Sequence, residues 1–158
     1  MALNKPRGRL KRALSLPVVM DRHGLGWMLG SRFIIIEHEG RRSGRIYRTP
    51  VEVVAHHIEP LSWTVVAAWG DPPQWFANLQ HRDARAVVVA GRRYDAPVQQ
   101  IVDADEANDL LVAYAFGHPL VARLLFRVLS WPAPRQPGAF RQIAESVPLI
   151  RFTARSQA

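Results

Sequence analysis

The stretch Gly40-Arg41-Arg42-Ser43-Gly44-Arg45-Ile46-Tyr47-Arg48-Thr49-Pro50 decides how this chain is read. It lies between two runs rich in β-branched residues, Phe33–Ile36 and Ile46–Ala55, so Gly40–Arg45 reads as the loop of a β-hairpin. Glycines at both ends permit tight, positive-φ geometry and expose backbone N–H groups that suit an anion. Arg41, Arg42 and Arg45 add charge-assisted donors, and Ser43 adds a hydroxyl. Beyond the loop, alternation sends Ile46, Arg48 and Pro50 to one face of the strand and Tyr47, Thr49 and Val51 to the other. Pro50 cannot donate to a ladder, so it marks an edge, a bulge or an opening in a wall. An opening beside these arginines would seat a phosphate. On the hairpin alone, the plain alternative is a solvated basic loop.

Further strands follow the same logic. Ser62–Trp69 reads as a third, Ala84–Ala90 as a fourth, Arg93–Val102 as a fifth across the Gly91–Arg92 turn, and Leu149–Thr153 as a sixth. Short strands joined by hairpin-length loops favour a barrel over a doubly wound sheet. Helices punctuate them. Asp71-Pro72-Pro73-Gln74 reads as a capped start for a helix to about Gln80, with Gln74 as the capping-box residue. Asp105–Glu106 opens another, broken at Gly117-His118-Pro119 before a third through Leu124 and Val128, and Gly138–Val147 reads as a short fourth. The Ala107–Val128 apolar stripe reads as helix packing against the barrel.

The 158 residues contain no internal repeat or low-complexity linker and suit one domain over 21–155, preceded by a basic arm over 1–20. With no cysteine, disulfides, thiolate zinc sites and iron–sulfur clusters are excluded, which accords with a cytoplasmic setting. The net charge of +8 comes almost wholly from arginine and favours anionic partners without choosing among them. The longest apolar candidate, Leu110–Trp131, is interrupted by His118, Pro119, Arg123 and Arg127 and does not read as a membrane span. In the arm, Lys5, Arg7, Arg9, Lys11 and Arg12 precede Ala13–Met20 without a cleavage pattern. A solvated arm is expected; contact with an anionic membrane or a neighbouring subunit is the alternative.

A second informative stretch is Trp69-Gly70-Asp71-Pro72-Pro73-Gln74-Trp75-Phe76-Ala77-Asn78-Leu79. Trp75, Asn78 and Leu79 fall on one helical face. Small Ala67 and Ala68 at the preceding strand end leave room for a flat group on which Trp69 could stack. The alternative is that both tryptophans are core residues and Asn78 caps a backbone group.

Taken in order, Gly40-x-Arg42-Ser43-Gly44-x-x-x-Arg48-Thr49-Pro50, Ala67-Ala68-Trp69-Gly70, Trp75-x-x-Asn78-Leu79 and the strand end Val87–Gly91 resemble the nitroreductase-type deazaflavin-dependent oxidoreductases over about residues 20 to 130. The resemblance implies an α+β fold, mainly β: a split β-barrel of about six strands with peripheral helices. It implies coenzyme F420 as cofactor and hydride transfer to a quinone, a nitro compound or a similar small hydrophobic acceptor. By position, Arg42, Ser43, Gly44 and Arg48, with Arg41 beside them, would meet the phosphate and acidic tail. Thr49, Pro50, Ala67, Ala68 and Trp69 would line the ring system, supported by Trp75 and Asn78. Pairing into a homodimer is implied likewise. Glu37-His38-Glu39, where members often carry threonines, and the short Gly70–Pro73 loop depart from the pattern and leave substrate choice open.

Hydride transfer needs no acid–base pair from the protein, so no catalytic side chain is expected. The histidines, including His56–His57, lack metal-ligand spacing, Ser43 is not in a nucleophile elbow, and the glycines after Arg22 follow no strand. The alternatives are a barrel using flavin mononucleotide (FMN) and a cofactor-binding protein without turnover. A nucleic-acid module rests on charge alone, and no recognition helix supports it.

Overall fold

A computed structural model describes residues 23, 30–68, 73–128 and 138–155, the side chains of 124–126 and 128 excepted. The basic arm, most of the Gly24–Gly30 stretch and Trp69–Pro72 lie outside the described residues.

The hairpin forms as its alternation requires. Strand β1 (Phe33–Glu39) pairs antiparallel with β2 (Ile46–Ile58), with Ile36 opposite Thr49, Glu37 opposite Arg48 and His38 opposite Tyr47. Opposed residues share a face. Ile34, Ile36 and His38 therefore stand with Thr49 and Tyr47, and Glu37 stands with Arg48. β1 runs beyond Ile36, where its apolar run ends, because the ladder to β2 continues through Glu39.

Strands β3 (Leu61–Val66), β4 (Ala86–Val89), β5 (Arg92–Asp95), β6 (Val98–Ile101) and β7 (Leu149–Thr153) complete the sheet. Its order is β5-β4-β1-β2-β3-β7-β6, seven strands and antiparallel throughout. The long β2 serves both halves: it pairs with β1 through Glu52 and with β3 from Val53 onward, with a register shift between Val53 and Ala55. Such a bulge bends a strand and lets one sheet curl. The two edge strands are consecutive in the chain and joined only through Ala96–Pro97, which closes one end of the curl. The result is an α+β split barrel.

The expected single strand Arg93–Val102 is thus two strands. Ala96 adopts φ 42°, in the left-handed region, and Pro97 lacks an N–H, so the ladder stops. β5 stays with β4, and β6 crosses to β7. The third strand ends at Val66, short of the expected Trp69: Ala67 N–H still donates to the Pro148 carbonyl opposite it at 2.9 Å, but Pro148 has no N–H to return the bond and the ladder stops.

Helix α1 (Gln74–Leu79) begins after Pro73, and its N-cap makes no side-chain hydrogen bond, contrary to the expected capping box. Helix α2 (Ala104–Gly117) is capped two residues earlier than expected: Asp103 accepts from the N–H groups of Asp105 and Glu106, both at 3.0 Å. Helices α3 (Pro119–Val128) and α4 (Ala139–Ser146) follow.

Two cores divide the sheet's faces. Inside the barrel Ile34, Ile36, Trp63, Val65, Val87 and Phe152 pack with Trp75, Phe76 and Leu79 of α1. Each such side chain contributes about 1.5–3 kcal/mol by leaving water. Outside, Leu149, Val102 and the partly buried Val66 pack against Ala107 and Leu111 of α2 and Ile143 of α4. The inner core anchors α1 across the mouth of the barrel, beside the hairpin.

Candidate functional site

The turn is held by its own backbone. Gly40 N–H donates to the Arg45 carbonyl at 2.8 Å, while Ser43 and Gly44 N–H groups donate to the Gly40 carbonyl at 3.1 and 2.8 Å. Gly44 takes φ 64°, and a Cβ on Gly40 would lie 2.6 Å from both Ser43 Oγ and Tyr47 Cε2. Both glycines are required. These bonds correct the expectation that the loop amides face an anion: most close the turn, and Arg41 N–H donates to Asn78 Oδ1 at 3.2 Å. What the turn presents is its side chains.

From Arg41 a chain of hydrogen bonds runs inward. Its Nη1 donates to Asn78 Oδ1 at 2.9 Å, and its Nη2 to Gln74 Oε1 at 3.1 Å. Asn78 Nδ2 then lies 3.1 Å from His38 Nδ1, and His38 Nε2 lies 2.9 Å from Thr49 Oγ1. Asn78 and His38 are both buried, at 6% and 3% exposure, so each polar atom needs its partner. Burial pushes the His38 imidazolium down to a pKa of about 4, which leaves the ring neutral near neutral pH. Tyr47 stacks on this ring at 5.9 Å, and its hydroxyl meets Ser43 Oγ at 3.2 Å.

Between hairpin and helix lies a cavity of about 480 Å³, lined by Arg41, Arg42, Ser43, His38, Thr49, Tyr47, Gln74, Trp75 and Asn78 with Gly40 and Pro73. That volume is ordinary for a small-molecule site. No carboxylate lines it among the described residues. Arg41 is held by neutral amides, which leave its positive charge uncompensated, and exposed Arg42 carries a second. Trp75 and Tyr47 supply flat apolar walls. The cavity thus suits a ligand with an anionic part and a planar part.

The residues singled out from sequence separate into groups. Arg41, Arg42, Ser43, Thr49, Trp75 and Asn78 come together in the cavity, with Gly44 shaping the turn. Arg48 does not join them. It lies on the other face of the sheet, its Nε 3.2 Å from Glu37 Oε1, and Arg93 pairs with the same carboxylate. Pro50 shares that face, in the half of β2 that pairs with β1 and with no second strand among the described residues. Ala67 is buried in the inner core and Ala68 is buried beside it; neither lines the cavity. Trp69 lies outside the described residues.

Besides Gly40, Pro73 and Gln74, which line the cavity from the two stretches already singled out, the residues missed as cavity contacts are His38 and Tyr47. Their signal was the alternation itself: extended two residues past Ile36, it places His38 on the inner face with Tyr47 opposite. Among the described residues no cluster of histidine, cysteine or carboxylates could hold a metal ion. No described helix is long and apolar enough to cross a membrane.

No protein-family model and no curated protein matches the chain. Solved structures do. One described as an F420-H2 dependent reductase (FDR-A) is 16% identical, with TM-score 0.51 over 78% of this chain and 96% of that one. A protein of unknown function from Agrobacterium tumefaciens is also 16% identical, with TM-score 0.52 over 96% of this chain and 57% of that one. A structure described as a domain-swapped dimer is 14% identical, with TM-score 0.50 over 86% and 98%. The likeness is one of fold. A split barrel of the architecture found in an F420-H2 dependent reductase carries the cationic cavity.

Proposed function

We propose that the cavity binds the reduced deazaflavin coenzyme F420 and that the chain is an oxidoreductase delivering its hydride to a small hydrophobic acceptor such as a quinone or nitro compound. The observation that carries this reading is the sign of the cavity: Arg41 and Arg42 face it, and no described carboxylate lines it. A cofactor with a phosphodiester and a carboxylate-bearing tail needs that charge more than FMN does. The ordered motifs in the sequence and the fold shared with a reductase described as F420-H2 dependent support the same reading.

When bound, the cofactor supplies the hydride chemistry. The chain's residues bind and orient. Arg42 and Arg41, with Ser43, would hold the acidic part at the hairpin. Trp75 and Tyr47 would wall the planar part, with Thr49 giving it a polar contact. Asn78, anchored on α1, fixes Arg41 and thereby ties the hairpin to the helix across the mouth. Arg48, Pro50, Ala67 and Ala68 do not line this cavity and would serve only as scaffold behind it, and Trp69 lies outside the described residues. A cytoplasmic protein pairing as a homodimer completes the reading; one structure of this fold is described as a domain-swapped dimer.

Titration of the purified protein with F420 and, in parallel, with FMN tests the proposal. F420 binding at moderate salt with reduction of a quinone or nitro acceptor is expected. Preferential FMN binding would replace the cofactor, and F420 binding without any acceptor reduction would make the chain a carrier.

A further inference from the structure

The hydrogen-bond chain has a fixed direction. Arginine has donors only, and both a backbone N–H and a guanidinium N–H of Arg41 point at one Asn78 atom. That atom must be the amide oxygen. Asn78 Nδ2, a donor, is then the atom 3.1 Å from His38 Nδ1, so Nδ1 must accept. A neutral imidazole that accepts at Nδ1 carries its proton on Nε2. Burial keeps the ring neutral. The Nε2–H therefore donates to Thr49 Oγ1, 2.9 Å away. With that oxygen accepting from His38, the Thr49 hydroxyl, which lines the cavity, keeps its own proton to donate.

We propose that His38 is a positioning residue that presents the Thr49 hydroxyl as a hydrogen-bond donor, so that the site takes a ligand offering an acceptor oxygen at Thr49. The inference rests on the reading of this cavity as the F420 site for the identity of that ligand, but not for the direction of the chain. The acceptor oxygen would be a ring carbonyl or a phosphate oxygen. Glu37 and Glu39 flank His38 on its own strand but pair with Arg48, Arg93 and Arg82. What touches the imidazole is Asn78 from α1 with Thr49 and Tyr47 from β2.

The test begins on the ligand-free protein, whose ¹⁵N imidazole shifts report the tautomer. Near pH 7, His38 is expected neutral with Nδ1 unprotonated and Nε2 protonated; an Nδ1–H tautomer or an imidazolium overturns the proposal. On the ligand side, Thr49→Val should weaken F420 binding roughly three- to tenfold, as for one lost hydrogen bond, and Thr49→Ser should retain it. In a His38→Leu background the Thr49→Val effect should shrink below about twofold, since coupled residues are not additive. Equal affinity of Thr49→Val and wild type overturns the donor role. Repeating the comparison with a tail-less deazaflavin and with inorganic phosphate separates ring carbonyl from phosphate oxygen: the probe that loses affinity in Thr49→Val identifies the acceptor. Should wild type bind no F420, the functional reading fails by itself, and the tautomer alone decides the role of His38.

Discussion

The two faces of the β1–β2 hairpin use neighbouring residues to opposite ends. On the outer face Glu37 sits across from Arg48 and also takes Arg93, so arginine charge is met by carboxylate within the sheet. That hydrogen bond to Glu37, together with Asp95, holds the Arg93 guanidinium above its ordinary range. On the inner face, one residue along each strand, His38 sits across from Tyr47, and the cation nearby is held by amides instead. An arginine paired with a carboxylate has little left for a ligand, whereas one held by asparagine and glutamine is oriented without being neutralised. A basic composition thus says less about anion binding than the partner each guanidinium has.

The contrast can be broken most forcefully from the inner face. Arg41→Ala combined with Arg42→Ala should weaken F420 binding by about 3–6 kcal/mol, if each makes a charge-assisted contact at roughly 1.5–3 kcal/mol. Calorimetric titration reads it; an unchanged dissociation constant would remove the cavity from consideration.

Acid should act on the same face. The unfolded His38 titrates near its ordinary 6.5 and the folded one at about 4, so the unfolded chain binds the extra proton between those values. Stability falls as pH drops from 6.5 toward 4, by about 3 kcal/mol from this group, and loses nothing further to it below 4. Denaturant melts of wild type and His38→Gln over that range check the sign: the variant should lose the slope.

Asn78→Leu should cost about 2 kcal/mol of folding stability, since it strips partners from Arg41 and the buried His38. A smaller effect lies on the outer face, where the Tyr114 hydroxyl of α2 donates to Glu52 Oε1 at 2.7 Å. Burial and this bond raise the Tyr114 pKa. Tyr114→Phe should lower stability by about 1 kcal/mol and leave ligand affinity alone; a change in F420 binding would show that the faces are coupled.

Much of the fold was legible because it rests on local rules. β-branched runs and turn glycines located the hairpin, and Pro50 falls where β2 has β1 as its one described partner strand. The break at Ala96–Pro97 was within reach, since Pro97 cannot donate to a ladder, but the crossing of β6 to β7 was not, because strand partners are set by the fold. The site was legible as a loop and a helix, Gly40–Arg45 and Trp75–Asn78, but not as a network. His38 on an apolar strand face reads as core until Asn78 from a distant helix is seen against it. The fate of Arg48 was within reach: a hairpin closing Gly40 on Arg45 puts Glu37 opposite it by counting, and only the register was missing. Ala67 was read as a wall by its size, yet small residues also let a core pack closely, and the inner core claims it.

The dissociation constant of F420 for Arg42→Ala beside that for Arg48→Ala tests the division of the faces most directly. Arg42→Ala should bind at least tenfold more weakly than wild type, as expected for a charged contact. Arg48→Ala should stay within about twofold in affinity and lose about 1 kcal/mol of stability as Glu37 gives up a partner. Equal losses of affinity in both, or a loss confined to Arg48→Ala, would contradict the account.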